Sequence, residues 1–362
     1  MNKTYKAISL FSGAGGLDYG MEQAGIHATV AVELMKEAAQ TYRSNFPSTT
    51  LLNDDVNNVI NDLAGFRGKV DFVFGGPPCQ GFSVAGKMDP NDERSKLIFS
   101  FLDVVEKVQP KAFIMENVKS LGTLEKWSKV REEYFARAEG LGYNVALIQA
   151  LATDFDVPQK RERVFFIGIK DNTDVFLKQN LENCLFKYRK KAKTVREILT
   201  PLGRAGTKDN PLTCTAKITF ATHPVMRKSP YAGMYFNGQG RPINIDDYAN
   251  TLPASMGGNK TPFIDEDYLF GDSTEDWVVS YHKGLISGEI QPKFEEAPKN
   301  LRRLTIREAA KLQTFPDDFI WEGSKGKVYT QIGNAVPCNL AEAVGKAVVY
   351  YLSMQSENIG RN

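Results

Sequence analysis

The first half of the chain alternates short apolar runs with stretches whose apolar positions recur at helical spacing. Residues 5–11, with Ala7, Ile8, Leu10 and Phe11 apolar, read as a strand. Ser12-Gly13-Ala14-Gly15-Gly16 follows as a glycine-rich turn, and Leu17, Met21 and Ala24 mark a helix ended by Gly25. The same rhythm predicts strands at 28–32, 49–52, 70–74, 112–115, 143–150 and 164–169. It predicts helices at 56–63, at 96–108 before Pro110, and at 124–140. Strands and helices in alternation predict an α/β fold with a doubly wound sheet. From about 186 to 300 the rhythm breaks. Pro, Gly, Asn and Thr become frequent, and short segments such as Ile218-Thr219-Phe220 stand between turns. That pattern predicts a smaller second domain of short strands and loops. Helical spacing returns at Arg302–Glu308, where Thr305 and Glu308 stand at capping-box spacing, and a last helix spans about 340–354.

Composition narrows this little. A chain of 362 residues has room for two domains, and its net charge of +2 favours no partner by itself. The charge is unevenly spread, with a basic excess in 186–303 and a dense run, Lys187, Arg189, Lys190, Lys191, Lys193 and Arg196, at its start. Such a run is either a solvated face or a contact for nucleic-acid phosphates. The four cysteines, Cys79, Cys184, Cys214 and Cys338, form no Cys-x-x-Cys pair, so neither a zinc site nor a disulfide framework is expected. No apolar run is long enough to span a bilayer.

Candidate chemistry gathers where predicted strands end, which is where ligands collect in open α/β sheets. The run 70–74 delivers Gly75-Gly76-Pro77-Pro78-Cys79-Gln80-Gly81-Phe82-Ser83, a rigid turn with a single cysteine at its tip. A thiol there is a candidate nucleophile, because its thiolate is the attacking form. The next strand delivers Glu116, so an acid should stand beside that nucleophile. The opening strand, glycine turn and helix suit a nucleotide-like ligand, and Glu33 lies 20 positions after Gly13, the offset at which a carboxylate reaches ribose hydroxyls. A nicotinamide enzyme would show Gly-x-Gly-x-x-Gly, whereas this chain has Gly-x-Gly-Gly. Asp54 and Asp55 are either adenine-edge ligands or the N-cap of helix 56–63.

These segments, taken in order, resemble the motifs of the cytosine-C5 DNA methyltransferases: Phe11–Gly16, Gly75–Ser83, Glu116-Asn117-Val118, Gln159-Lys160-Arg161-Glu162-Arg163-Val164, Arg302–Pro316 and Gln331–Pro337. The resemblance covers about residues 5–170 and 300–352. It implies a Rossmann-like catalytic domain over 1–185, completed by 326–362, with a target recognition domain over 186–325. It implies S-adenosyl-L-methionine as cofactor, leaving as S-adenosyl-L-homocysteine, and no metal. The cofactor would lie among Phe11, Gly13, Gly15, Gly16, Glu33, Asp55, Val56, Pro78, Leu97 and Asn334. Cys79, Glu116, Arg161 and Arg163 would be catalytic, and Ser83, Arg161, Thr251 and Leu252 would lie against DNA. The implied reaction methylates C5 of a flipped-out cytosine in a short double-stranded site through a transient bond from Cys79 to C6. The implied setting is a monomer in the bacterial cytoplasm, off the membrane, whose methylation protects DNA from a separately acting restriction endonuclease.

Competing readings fit less well. The related tRNA branch carries Cys-Phe-Thr in its variable region, and this chain has none there. A zinc deaminase needs His-x-Glu and Pro-Cys-x-x-Cys, whereas Pro78-Cys79 is followed by Gln80-Gly81-Phe82. A non-catalytic relative would have lost Cys79 or Glu116, and both are present.

Overall fold

The computed structural model describes residues 4–78, 96–238 and 240–359. Among these the chain divides into two compact units. The first comprises residues 1–156, 161–191 and 336–362; the second comprises 157–160 and 192–335. Residues 186–191, expected beyond the first boundary, belong to the first unit, and residues 326–335, expected to help complete it, belong to the second.

The first unit is built on strands β1 (Tyr5–Leu10), β2 (Ile26–Val32), β3 (Thr50–Leu52), β4 (Phe72–Gly75), β5 (Ala112–Val118), β6 (Tyr143–Leu151) and β8 (Glu162–Lys170). They form one seven-stranded sheet in the order β3-β2-β1-β4-β5-β8-β6. All neighbours run parallel except β8, which is antiparallel to both β5 and β6. The chain winds outward from β1 in both directions, so the crevice between the ends of β1 and β4 is the topological switch point. Central strands covered on both faces should be apolar throughout. Phe72, Val73, Phe74, Phe113 and Ile114 are fully buried accordingly.

Helices α1 (Gly16–Gln23), α2 (Lys36–Asn45), α3 (Val56–Leu63) and α4 (Leu97–Val108) supply the crossovers. Val59, Leu63, Phe101 and Val105 pack with Val32, Val73 and Phe113 in one core cluster. The C-terminal helix Cys338–Ile359 packs on α1 through glycines. A Cβ on Gly20 would lie 2.5 Å from the Cβ of Ala341, and one on Gly345 would lie 2.7 Å from that of Ala24.

Two expectations are corrected here. Strand β5 runs on to Val118, so Glu116 lies within paired backbone instead of just beyond it. The helix expected over 124–140 is a short helix Lys119–Thr123, a 3-10 turn Glu125–Trp127 and a helix Ser128–Gly140. Trp127 is completely buried and packs into the main core at the break.

The second unit holds β7 (Gln159–Lys160), β9 (Phe220–Val225), β10 (Met234–Phe236), β11 (Ala249–Asn250), β12 (Phe263–Asp265) and β13 (Leu301–Arg303), paired only two by two. Its strands are as short as expected, but helices stand among them. These include Val195–Leu199, Glu266–Phe270, Trp277–Ser287, Ile306–Leu312 and Lys325–Asn334. Phe220, Tyr235, Phe236, Phe263 and Tyr281 form a separate small core. No helix among the described residues is long and apolar enough to cross a membrane.

Candidate active site

At the switch point, β1 ends in a backbone turn that only certain residues tolerate. Gly13 has φ +57 and Gly15 φ +95, while Phe11 adopts φ +54 with a full side chain. A left-handed bulky residue is strained and persists only where the surroundings hold it. A Cβ on Gly13 would meet nothing within 4 Å, so the turn faces open space.

Glu33, directly after β2, accepts hydrogen bonds from Gly13 N–H at 2.8 Å and from Met35 N–H at 2.7 Å. Asn53 Nδ2 donates to its carbonyl at 2.8 Å. Burial pushes the Glu33 carboxyl above its ordinary range, and the backbone N–H groups of Met35, Gly13 and Leu34 pull it back. Gly13 reaches Oε2 and Met35 reaches Oε1, and with about four lone-pair sites against three backbone N–H groups the carboxylate can still accept a hydroxyl donor. Leu34, between these anchors, is 64% exposed. The donor set therefore fits the hydroxyl-bearing ribose and apolar base of a nucleoside cofactor. Asp55 caps α3, accepting from Asn57 N–H at 2.8 Å and from Asn57 Nδ2 at 2.9 Å, both through Oδ1. Asp55 is thus the N-cap of α3. Asp54 is drawn below its usual range by Asn58 and the Asp55 amide. Val56 is buried in the core beneath, and Leu97 is partly buried at the head of α4.

Strand β4 pairs directly with β5, bringing the turn before Cys79 beside Glu116. Asn117 Nδ2 donates to Pro77 O at 3.3 Å, and a Cβ on Gly76 would lie 2.9 Å from Glu116 Oε2. Because β8 runs antiparallel to β5, its first residues arrive at the edge where β5 ends, and Arg163 stands opposite Val118. Arg163 Nε lies 2.6 Å from Glu116 Oε1, with both side chains largely buried. Three strand spacings separate β2 from β5, so Glu33 and Glu116 mark the two ends of a crevice about 14 Å wide.

Cys79 and Ser83 lie outside the described residues. Arg161 is buried, 2% exposed. Asn334, Thr251 and Leu252 belong to the second unit. Asn334 is exposed at the last position of helix Lys325–Asn334. Leu252 is 1% exposed, so only Thr251 of that pair offers a side chain to solvent. The basic run is largely engaged internally: Arg189 pairs with Asp154, Lys190 with Asp156 and Arg196 with Asp246, while Lys187 donates to the Tyr350 hydroxyl. Sequence reading had missed Leu34 and Asn53. Asn53 had a signal, the polar Asn53-Asp54-Asp55 cluster after a strand; exposed Leu34 had none. Among the described residues no group of His, Cys, Asp and Glu could hold a metal ion.

The family model for C-5 cytosine-specific DNA methylases matches residues 5–350. The type II methyltransferase M.PspPI of Psychrobacter sp. (strain TA137) is 35% identical over 99% of this chain and 82% of its own length. The type II methyltransferase M1.HphI of Haemophilus parahaemolyticus is 35% identical over 96% of this chain and 87% of its own. Among solved structures, the S. pombe Dnmt2 methyltransferase superposes with a TM-score of 0.65 at 17% identity, covering 98% of this chain and 99% of its own, a likeness of fold.

Proposed function

Because the chain belongs to the C-5 cytosine-specific DNA methylase family, we propose that it methylates one cytosine in a specific short duplex sequence by flipping that base and bonding Cys79 transiently to C6. The Glu116–Arg163 pair, at the strand ends beside the turn that leads to Cys79, carries this reading. S-adenosyl-L-methionine, when bound, supplies the methyl group. Glu33 and the turn Phe11–Gly16 would hold it, with Asp55, Val56, Pro78, Leu97 and Asn334 around it.

Cytosine C5 is a weak nucleophile until C6 is saturated. The Cys79 thiolate adds to C6, and the displaced ring electrons move toward N3 and O2. Glu116 shares a proton with N3, and Arg163 faces O2, so the developing charge meets a preorganised pair. C5 then takes the methyl group, a base removes the C5 proton, and the C6–sulfur bond breaks to restore the ring and the Cys79 thiolate. C5 is out of reach inside a duplex, so the base must leave the stack. The second unit would bind the DNA, and Thr251 of that unit, with Ser83 and Arg161, would lie against it. The names of the relatives support a restriction-modification role, in which methylation blocks a separate endonuclease. A bacterial cytoplasmic monomer would suffice for this chemistry. Incubation of the purified chain with plasmid DNA and S-adenosyl-L-methionine, followed by bisulfite sequencing, tests the reading. Protected cytosines should occur within one short recurring sequence. Their complete absence, with methyl transfer to tRNA instead, would refute it.

A further inference from the structure

In the first unit, helix Leu177–Phe186 turns Leu177, Leu181, Cys184 and Leu185 inward. Its opposite face carries a second stripe. Phe176 at the N-cap, Gln179, Asn183 and Phe186 are all exposed, Phe176 by 68% and Phe186 by 63%. Asn180 N–H donates to Phe176 O at 2.9 Å, so Phe176 already lies on the helical spiral. Spacings of three, four and three residues set the four side chains along one line. Val175, beside the first ring, is 86% exposed. Large apolar side chains scattered singly over a surface are ordinary, whereas a group of them marks a contact.

Both ends of the stripe are held in place. Asp174 Oδ1 accepts from Phe176 N–H at 2.9 Å. Its Oδ2 accepts from the Tyr351 hydroxyl at 2.9 Å and from Asn180 Nδ2 at 2.8 Å. Asn172 Oδ1 in turn accepts from Asp174 N–H at 2.9 Å and from Asn144 Nδ2 at 3.1 Å. At the other end the Arg189 guanidinium lies 4.9 Å from the centre of the Phe186 ring and pairs with Asp154 at 3.3 Å. Between the rings Gln179 Nε2 donates to Asn183 Oδ1 at 3.3 Å, and Lys178 lies 3.9 Å from Glu182. Rings fixed before contact lose little freedom when they are covered, so this face is preorganised for docking.

The stripe is also complementary to itself. Positions 176 and 186, and 179 and 183, are symmetric about Leu181, so Phe-Gln-Asn-Phe reads the same in kind from either end. A two-fold contact needs this property, because residue i must meet j while j meets i. Two copies of the helix laid antiparallel bring each Phe176 against Phe186 of the second copy. Each Gln179 then lies opposite Asn183 of the second copy, and both amides can donate and accept. A ring exposed to this extent offers roughly 130 Å². Four rings, two Val175 side chains and the amides between them come to about 1,000 Å², the lower end for a specific contact and the size of a reversible one. We propose that the outer face of helix Leu177–Phe186 joins two copies of this chain antiparallel in a weak homodimer.

Sedimentation velocity of the whole chain between about 1 and 300 µM tests this, since a contact of that size should be micromolar or weaker. The wild type should pass reversibly from monomer toward dimer as concentration rises. Phe176→Lys and Phe186→Glu should each stay monomeric alone, because each sets a charge against a ring at both ends of the pair. Mixed in equal amounts they should associate again, since the introduced charges then oppose each other and the remaining rings still meet. Phe176→Ala and Phe186→Ala, which add no charge, should each weaken association by roughly 10- to 100-fold, with thermal melting like that of the wild type. A wild type that stays monomeric across the range overturns the proposal. So does association that survives both charged variants, or a mixture of the two that fails to associate.

Discussion

Glu116 and Arg163 meet at 2.6 Å with little solvent around them, and neither charge is well placed without the other. Glu116→Gln should therefore slow methyl transfer by about 10²–10⁴-fold with little change in DNA affinity, as read by single-turnover tritium transfer. An unchanged rate would take Glu116 out of the chemistry. Cys79→Ser should abolish transfer while leaving duplex binding in a gel-shift assay intact. Away from the crevice, Asp18 in α1 is buried beneath the Tyr42 hydroxyl, which donates to it at 2.8 Å. Burial raises its carboxyl to about 7. The folded chain thus binds more protons than the unfolded chain between about pH 4 and 7, and the stability this gives below pH 4 is lost as pH rises through 7. Asp18→Asn should remove that loss. Its advantage over wild type in urea unfolding should be larger at pH 8 than at pH 5 by on the order of 2–4 kcal/mol. An equal difference at both pH values would contradict this.

Helix Ile306–Leu312 begins with a complete capping box. Glu308 N–H donates to Thr305 Oγ1 at 3.1 Å and Thr305 N–H to Glu308 Oε2 at 2.9 Å. Thr305 also donates to Asn210 Oδ1 at 2.6 Å. Thr305→Ala should cost about 1–3 kcal/mol, measured by denaturant unfolding, and Thr305→Ser should recover most of it. This box was legible in the sequence, as was helix α3 with its capping aspartate, because both depend on residues within four positions of each other. The helix break at Trp127 was not legible, because tertiary burial of that indole overrides a continuous local pattern. Helices Glu266–Phe270 and Trp277–Ser287 were hidden among turn-forming residues. Their N-caps, Asp265 and Asp276, were the available signal.

The strand alternation predicted an α/β sheet, and the order of motifs anticipated that the tips of β4 and β5 would be neighbours. What periodicity could not supply was pairing across long separations. Parallel pairing of β7 with β11 and the Gln159–Gln313 bond join segments about 90 and 154 residues apart, and no local pattern encodes such contacts. The fate of the basic run was also beyond local reading, because its partners Asp154, Asp156 and Asp246 lie elsewhere in the chain. The central claim is that one thiolate adds to a flipped cytosine. A duplex carrying 5-fluorocytosine at the target leaves no C5 proton to remove, so the adduct should be trapped after methyl transfer. Incubation with S-adenosyl-L-methionine should give a denaturation-resistant complex whose proteolysis finds the nucleotide on Cys79. Failure to form it on a duplex that the wild-type chain methylates in its unfluorinated form, or attachment at another residue, would contradict the account.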